Sequence, residues 1–499
     1  MNKTLKGIIG GTVLLAAIGG GIVALKMTDP EKTEESSTVS EKTETPLWHV
    51  HSDDINKISV ENPNGESYVA VRKMDKVKTT DADGNETEEE IANYVLEGYE
   101  DLPMDTVSIR LLATRSPELT STDTVVEHAS AEEMARFGLD EPVKVTFSVD
   151  KADDIVFLIG GEAPITSERY LCLEGQDTIY TVNDVSMDPF LESPYNYLGK
   201  TLKETQAEDD TTIVNSVRIE RSDLDYDFYF EYDPFYSENS NGGSMALHVM
   251  KEPVYSLISG DKSSPATHGM YGLTANEIVK PHPTEADLKK YGLDEPFVTV
   301  TTKTDAKETF VFKLGDSYQT EDGSKYYYGM LEGIPCVYGF FEDSIIYDDL
   351  KPEDIISRNV FDTYVWDIGT LIYEADGKKL EFNGKGGKDD YVLKYNGKDQ
   401  DEDGIERFRK LYTYVLQTKA EELVYDDPEL PDKALAKITL KRQDGKRPVE
   451  VEFYDAGSMK AYIVINGETR FRCRKTYVDT LISNIEIFDD TDKEFTMTW

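Results

Sequence analysis

The hexapeptide Phe137-Gly-Leu-Asp-Glu-Pro142 returns as Tyr291-Gly-Leu-Asp-Glu-Pro296, 291 − 137 = 154 residues later. That repeat constrains the fold more than any other feature, because it makes the chain a tandem array of one unit of ordinary domain size. Ser130 and Glu133 stand at capping-box spacing before the first copy, and Thr284 and Asp287 before the second. Each copy is therefore expected to end a helix of about two turns. Gly138 and Gly292 take the position just past the helix, where a left-handed backbone suits glycine. Leu139 and Leu293 are the apolar residues that follow such a cap. Pro142 and Pro296 forbid continuation and launch extended chain. The adjacent Asp and Glu are also raw material for a metal or acid–base site, but the cap and turn already account for every residue in the motif.

The similarity runs well past the hexapeptide. Val143, Val145, Phe147 and Val149 alternate as a strand should, and residues 297–301 follow the second copy less regularly. Ile155-Val-Phe-Leu-Ile-Gly160 matches Phe310-Val-Phe-Lys-Leu-Gly315. Tyr170-Leu-Cys-Leu-Glu-Gly175 matches Tyr328-Gly-Met-Leu-Glu-Gly333, and residues 179–182 match 337–340. Short closing helices are expected at 185–191 and 345–350. A third copy lacks the hexapeptide but keeps the strand order at 434–440, 449–454, 461–467 and 471–474, with a closing helix at 477–482. The front of the unit recurs as Ile55-x-x-Ile58-x-Val60, Val214-x-x-Val217-x-Ile219 and Ile368-x-x-Leu371-x-Tyr373, at offsets 214 − 55 = 159 and 368 − 214 = 154. A central helix is expected from the likeness of residues 112–119 to 416–423, with Ile405, Phe408, Leu411, Tyr412 and Val415 forming an apolar face ahead of the latter.

These runs predict an α+β fold of tandem modules, each a mainly antiparallel sheet with helices packed on one face. The expected divisions are an anchor at 1–27, a stalk at 28–46, and modules at 47–205, 206–357 and 358–499, with short junctions near 200–212 and 357–366. The Tyr/Phe-Gly-Leu-Asp-x-Pro turn, the strands after it and the tyrosine-rich closing segment resemble the domain of unknown function 4340 family of bacterial membrane-anchored proteins. The resemblance covers most of 48–490, and the third copy departs from the pattern. It brings no established activity. It implies an extracytoplasmic partner of transport systems, of the kind encoded near ABC-type exporter or gliding-type components.

Residues 8–25 are 18 apolar or small residues preceded by Lys3 and Lys6. At the rise of an α-helix they span about 27 Å, enough for a bilayer core. The basic flank puts the N-terminus in the cytoplasm and the remainder outside, so the expected partner of this segment is the cytoplasmic membrane. A cleaved signal peptide is the competing reading, with Gly19-Gly-Gly21 its best cleavage candidate. No cysteine follows the run, so a lipoprotein anchor is excluded. Residues 28–46 have too few apolar side chains to fold and read as a stalk. Two further polar stretches, 76–90 and 237–244, read as mobile hairpin extensions.

The formal charge is −44, from 97 acidic and 53 basic residues. Such a field disfavours nucleic acid and anionic membrane surfaces as partners, although solubility alone also accounts for it. Cys172, Cys336 and Cys473 occupy non-equivalent repeat positions and are odd in number, so buried free thiols are expected. Asp399, Asp401 and Asp403, followed by Gly404, imitate the first half of a calcium loop. The second half fails, with Lys410 where a bidentate Glu belongs, and the alternative is an acidic turn with Asp403 capping the next helix. Asp81-Ala-Asp-Gly-Asn85 reads as a hairpin turn. His49 and His51 sit at strand spacing without the ligands that would complete a metal site. Gly160 reads as a hairpin glycine, not a phosphate cradle. No catalytic fingerprint accompanies any of these, so a non-enzymatic scaffold or binding subunit is the leading expectation. Tyrosines bunched at 226–236 and 326–328 carry the alternative, a surface that binds cell wall or glycan, against the plain reading that tyrosine favours half-buried sheet.

Overall fold

The computed structural model describes residues 44–80, 86–233, 245–268, 270–361, 363–445 and 448–499. The expected anchor at 8–25, most of the stalk, the 81–85 turn and the stretch 237–244 lie outside them. Among the described residues no helix is long and apolar enough to cross a membrane. Thr45 and Pro46, assigned to the stalk, belong to the folded part. The Thr45 N–H reaches Ser121, and strand Pro46–His49 pairs with Glu118–Thr120. That strand carries Trp48, which stacks on Phe157 at 4.7 Å and donates its indole N–H to the Ser116 carbonyl.

Three large sheets follow one plan, and every pairing in them is antiparallel. In each, the strand that opens the unit lies in the middle: Ile55–Glu61, Val214–Arg221 and Ile368–Ala375. A meander runs outward from it on one side. On its other side lies a strand from much later in the unit: Val143–Val149, Val298–Thr304 or Ala436–Arg442. Three more strands continue to the far edge, which is closed by Asp123–Val126, Glu277–Pro281 or Glu422–Leu423. Alternation sets the register. Ile58 faces Phe147 and Val60 faces Val145, so one slip would turn both pairs out of the core.

The inner face of each sheet carries a crossing helix. Thr106–Thr114 is capped by Asp105, which accepts from the Val107 and Ser108 N–H groups, and buries Ile109, Leu112 and Ala113. Glu402–Leu416 buries Phe408, Leu411, Tyr412 and Val415 at the spacing of one helical stripe. The residues expected to form the central helix instead span its exit, for these helices end at Thr114 and Leu416. The middle counterpart, Gly260–His268, has no such sequence signature, because Pro265 lies inside it and Ser263 and Thr267 are among its buried residues.

The expectation that helices cover one face only is corrected. Helix Ala131–Arg136 and its turn pack on the opposite face, where Leu139 joins Leu158, Tyr170 and Cys172 in a small second core. Phe157, Ile159 and Leu171, the alternate residues of those strands, belong to the main core. The second unit repeats this with Leu293, Tyr328, Met330 and Val337. The third has alternating Val449-Glu-Val-Glu-Phe453, which turns Glu450 and Glu452 outward to Lys437, and no helix covers that face among the described residues.

Three smaller expectations also change. Residues 345–350 are not helical: a 3-10 turn at Glu342–Ser344 precedes them and helix Pro352–Ile355 follows. The polar stretch 76–90 extends a hairpin as expected, but its described residues belong to the strands Tyr68–Thr80 and Glu86–Leu96 themselves rather than lying between strands. Gly160 lies within strand Ile155–Glu162, beneath the turn. One continuous apolar cluster runs through all three units, from Phe147 and Phe190 through Phe230 and Phe312 to Phe382 and Phe453.

Candidate binding groove between the second and third units

The repeated turn is structural in both copies. Ser130 and Thr284 form capping boxes with Glu133 and Asp287. Gly138 has φ +72° and Gly292 φ +67°. The Leu139 N–H reaches back to the Met134 carbonyl, and the Leu293 N–H to that of Leu288, both at 2.8 Å. That is the closure a left-handed glycine permits. The turn docks on a glycine in the neighbouring strand. The Phe137 carbonyl accepts from the Gly161 N–H at 2.9 Å, and that of Tyr291 from the Asp316 N–H at 2.9 Å. Pro142 and Pro296 lead into the central strands, and Asp140, Glu141, Asp294 and Glu295 are exposed.

The calcium-loop candidates are not gathered. Asp401 is the helix cap, accepting from the Gly404 N–H at 3.0 Å, in place of the expected Asp403. Asp399 turns to Lys394 at 3.5 Å. Asp401 and Asp403 line an open cavity of about 600 Å³ with Glu406, Asp489, Arg407 and Lys410. Among the described residues no group of three or more His, Cys, Asp or Glu side chains is placed to hold a metal. His49 pairs with Glu118 at 2.7 Å, and His51 caps a 3-10 turn. All three cysteines are buried free thiols, and burial pushes Cys336 and Cys473 up to about 12. The tyrosines pack on one another: Tyr318 stacks on Tyr328 at 4.4 Å, and Tyr226 lies 6.5 Å from Tyr425.

The junction into the third unit builds a groove. After helix Pro352–Ile355 the chain runs extended, stitched on one side to the second sheet and on the other to the third. Ile356 bridges Ile258, and the Ser357 N–H reaches the Leu257 carbonyl at 2.8 Å. Two residues on, Asn359 bridges Lys419, while the Arg358 guanidinium donates to the Ala420 and Glu421 carbonyls at 3.0 and 2.6 Å. Arg358 and Asn359 thereby separate two cavities. One, of about 610 Å³, is lined by Leu416, Lys419, Glu421, Glu422 and Arg474. The other, of about 400 Å³, is lined by Ser259, Asp261, Lys262 and Ser357.

The charge of this groove runs against that of the molecule. Glu421 is matched by Arg474 at 3.2 Å and Glu422 by Lys460 at 2.5 Å. Asp261 accepts from Ser259, which holds its carboxyl below the usual range. Among the described residues Arg358, Lys262 and Lys419 make no ion pair, and although Asp261 keeps its charge beside Lys262, the linings hold a small local excess of positive charge in a chain of net charge −44. Leu416, 43% exposed, adds an apolar floor. Such a lining suits a carboxylate or phosphate group carried on a partly apolar segment. The junction expected at 357–366 lies here, but Arg358, Lys262 and Lys419 come from three separate segments and form no sequence motif.

Residues 94–225 match the profile of a family described as Domain of unknown function (DUF4340). The match begins in strand Glu86–Leu96, takes in the first turn and ends just past the opening strand of the second sheet. No curated protein and no solved structure matches the chain.

Proposed function

We propose, from the premise that the chain belongs through residues 94–225 to the DUF4340 family, that it is a non-enzymatic extracytoplasmic scaffold and binding subunit. In this reading residues 8–25 anchor it to the cytoplasmic membrane and the three units stand outside, beside an envelope transport complex of ABC type. The observation that carries the proposal is the junction groove. A lining with a small excess of positive charge and an apolar floor, held between units that share one core, is a docking place for an acidic segment of a partner. Binding needs no catalytic group there, and buried thiols pushed upward do not act as nucleophiles at neutral pH. The tyrosine clusters support adhesion less well, since their rings pack on each other and on the sheets.

The test is cross-linking in intact cells with the full-length chain as bait, alongside an Arg358→Glu/Lys419→Glu variant. Capture of permease or ATPase subunits by the wild type, lost in the variant, is the expected result. Capture of wall polymer alone, or of the same subunits by both forms, removes the groove from the proposal.

A further inference from the structure

His248 on strand Met245–Glu252 and His268 at the end of helix Gly260–His268 meet edge to face, with ring centroids 5.2 Å apart and planes at 74°. Tyr232, paired with His248 across the sheet, closes a third side at 5.9 Å. His248 is 2% exposed. Its Nε2–H donates to the Val214 carbonyl at 2.7 Å, which fixes the tautomer and leaves Nδ1 as a bare lone pair. Among the described residues that Nδ1 has no hydrogen-bond partner. The buried His248 ring is therefore satisfied at one nitrogen only.

Among the described residues no acidic side chain pairs with either ring. Arg218 and Glu220 alternate with Val217 and Ile219, Glu231 with Phe230 and Tyr232, and Lys251 with Met250, so these charges lie on the other face of the sheet. They are also occupied: Arg218 pairs with Asp227 and Glu252, and Lys251 with Glu231. Arg221, at the far end of its strand from Val214, pairs with Asp223. Asp261 and Lys262 lie at the opposite end of the helix from His268, and the carboxyl of Asp261 is held by Ser259. Helix Pro352–Ile355, which touches this helix, directs Glu353 to Tyr425 and carries Asp354 at an exposed position. Among the described residues neither imidazole forms an ion pair.

The same helix is tied to the junction. It continues directly from strand Ser256–Ser259, whose Leu257 and Ile258 hold Ser357 and Ile356 of the linker. We propose that the His248–His268 pair is a proton-operated latch: uptake of a proton by either ring releases helix Gly260–His268 from the sheet and loosens the linker to the third unit. The latch concerns the fold, and stands whether or not the groove is a docking place.

The direction follows from burial. Loss of water around the ring pulls His248 down to about 4 and lowers His268 as well. In the opened helix each ring regains its ordinary value of about 6.5. Above that pH neither state is protonated and the latch holds fully. Between about 6.5 and 4 opening takes up a proton at His248, so the opening constant rises about tenfold per pH unit, with a further contribution from His268.

Hydrogen exchange of the full-length chain across that range, corrected for the intrinsic pH dependence of exchange, reads this directly. Protection of residues 260–268 and 356–360 should fall by about tenfold per pH unit while that of helix Glu402–Leu416 holds. His248→Gln and His268→Gln should each flatten the local dependence. If His248→Gln does not fold, His268→Gln, at the half-buried position, still reports. A uniform loss of protection over all three sheets, or a slope unchanged by His268→Gln, overturns the proposal.

Discussion

Glycine 315 shows how a single residue can be fixed by the backbone of another segment. A Cβ on it would strike the Tyr291 carbonyl oxygen and sit 2.9 Å from the Gly292 carbonyl carbon. Both obstacles are main chain in a closed turn and cannot swing aside. Gly323 is the control, with φ +85° but no atom within 4 Å of its would-be Cβ. Gly315→Ala should cost at least about 3 kcal/mol, the upper end for an overpacked interior. Gly323→Ala should cost about 1–2 kcal/mol, from its left-handed backbone alone. Urea titration of the two variants against the wild type decides. Equal losses would mean that the turn shifts to admit the methyl group, and that the docking of turn on strand is loose.

Elements were legible in the sequence to the degree that one force determined them. The capping boxes at Ser130 and Thr284, the left-handed Gly138 and Gly292 and the opening strands follow from local rules, and all are present. The second face was also written in the residues. Ile155-Val-Phe-Leu-Ile159 is apolar without alternation, the mark of a strand covered on both sides, whereas Val449-Glu-Val-Glu-Phe453 alternates and stays open on one. Helix Gly260–His268 was not legible, because tertiary packing overrides a proline and a run of small polar residues. The groove was illegible for a further reason: its three cations are far apart in sequence, and the linker places Arg358 between the cavity lined by Lys262 and the one lined by Lys419 only once it is stitched in place.

The acidic run before helix Glu402–Leu416 divides into one capping carboxylate and two exposed ones. Asp401 alone holds a helix N–H, while Asp399 is an exposed partner of Lys394. Asp401→Ala should therefore cost about 1 kcal/mol and Asp401→Asn little, since Asn caps as well as Asp. Asp399→Ala and Asp403→Ala should stay within about 0.5 kcal/mol. Thermal melts with and without millimolar calcium distinguish the alternatives. A calcium-dependent rise abolished at all three positions would restore the loop reading and sink the cap.

At the scale of the whole molecule the question is whether three similar units behave as one. In a tandem array, cooperativity depends on the interfaces matching the differences in intrinsic stability between neighbours. Here the apolar cluster is continuous and the second junction is tightened by Arg470, 2% exposed, whose guanidinium lies 4.0 Å from the centre of the Tyr255 ring of the preceding unit. A desolvated cation–π contact of this kind contributes about 2 kcal/mol. Calorimetry of the wild type should show one transition. Arg470→Ala removes both the cation and the packing of its stem, and should split the third unit off as a separate, earlier melt. Arg470→Lys keeps the charge and should fall between the two. Several resolved transitions in the wild type would show that the shared core does not couple the units, and the picture of a rigid platform holding a docking groove would fail with it.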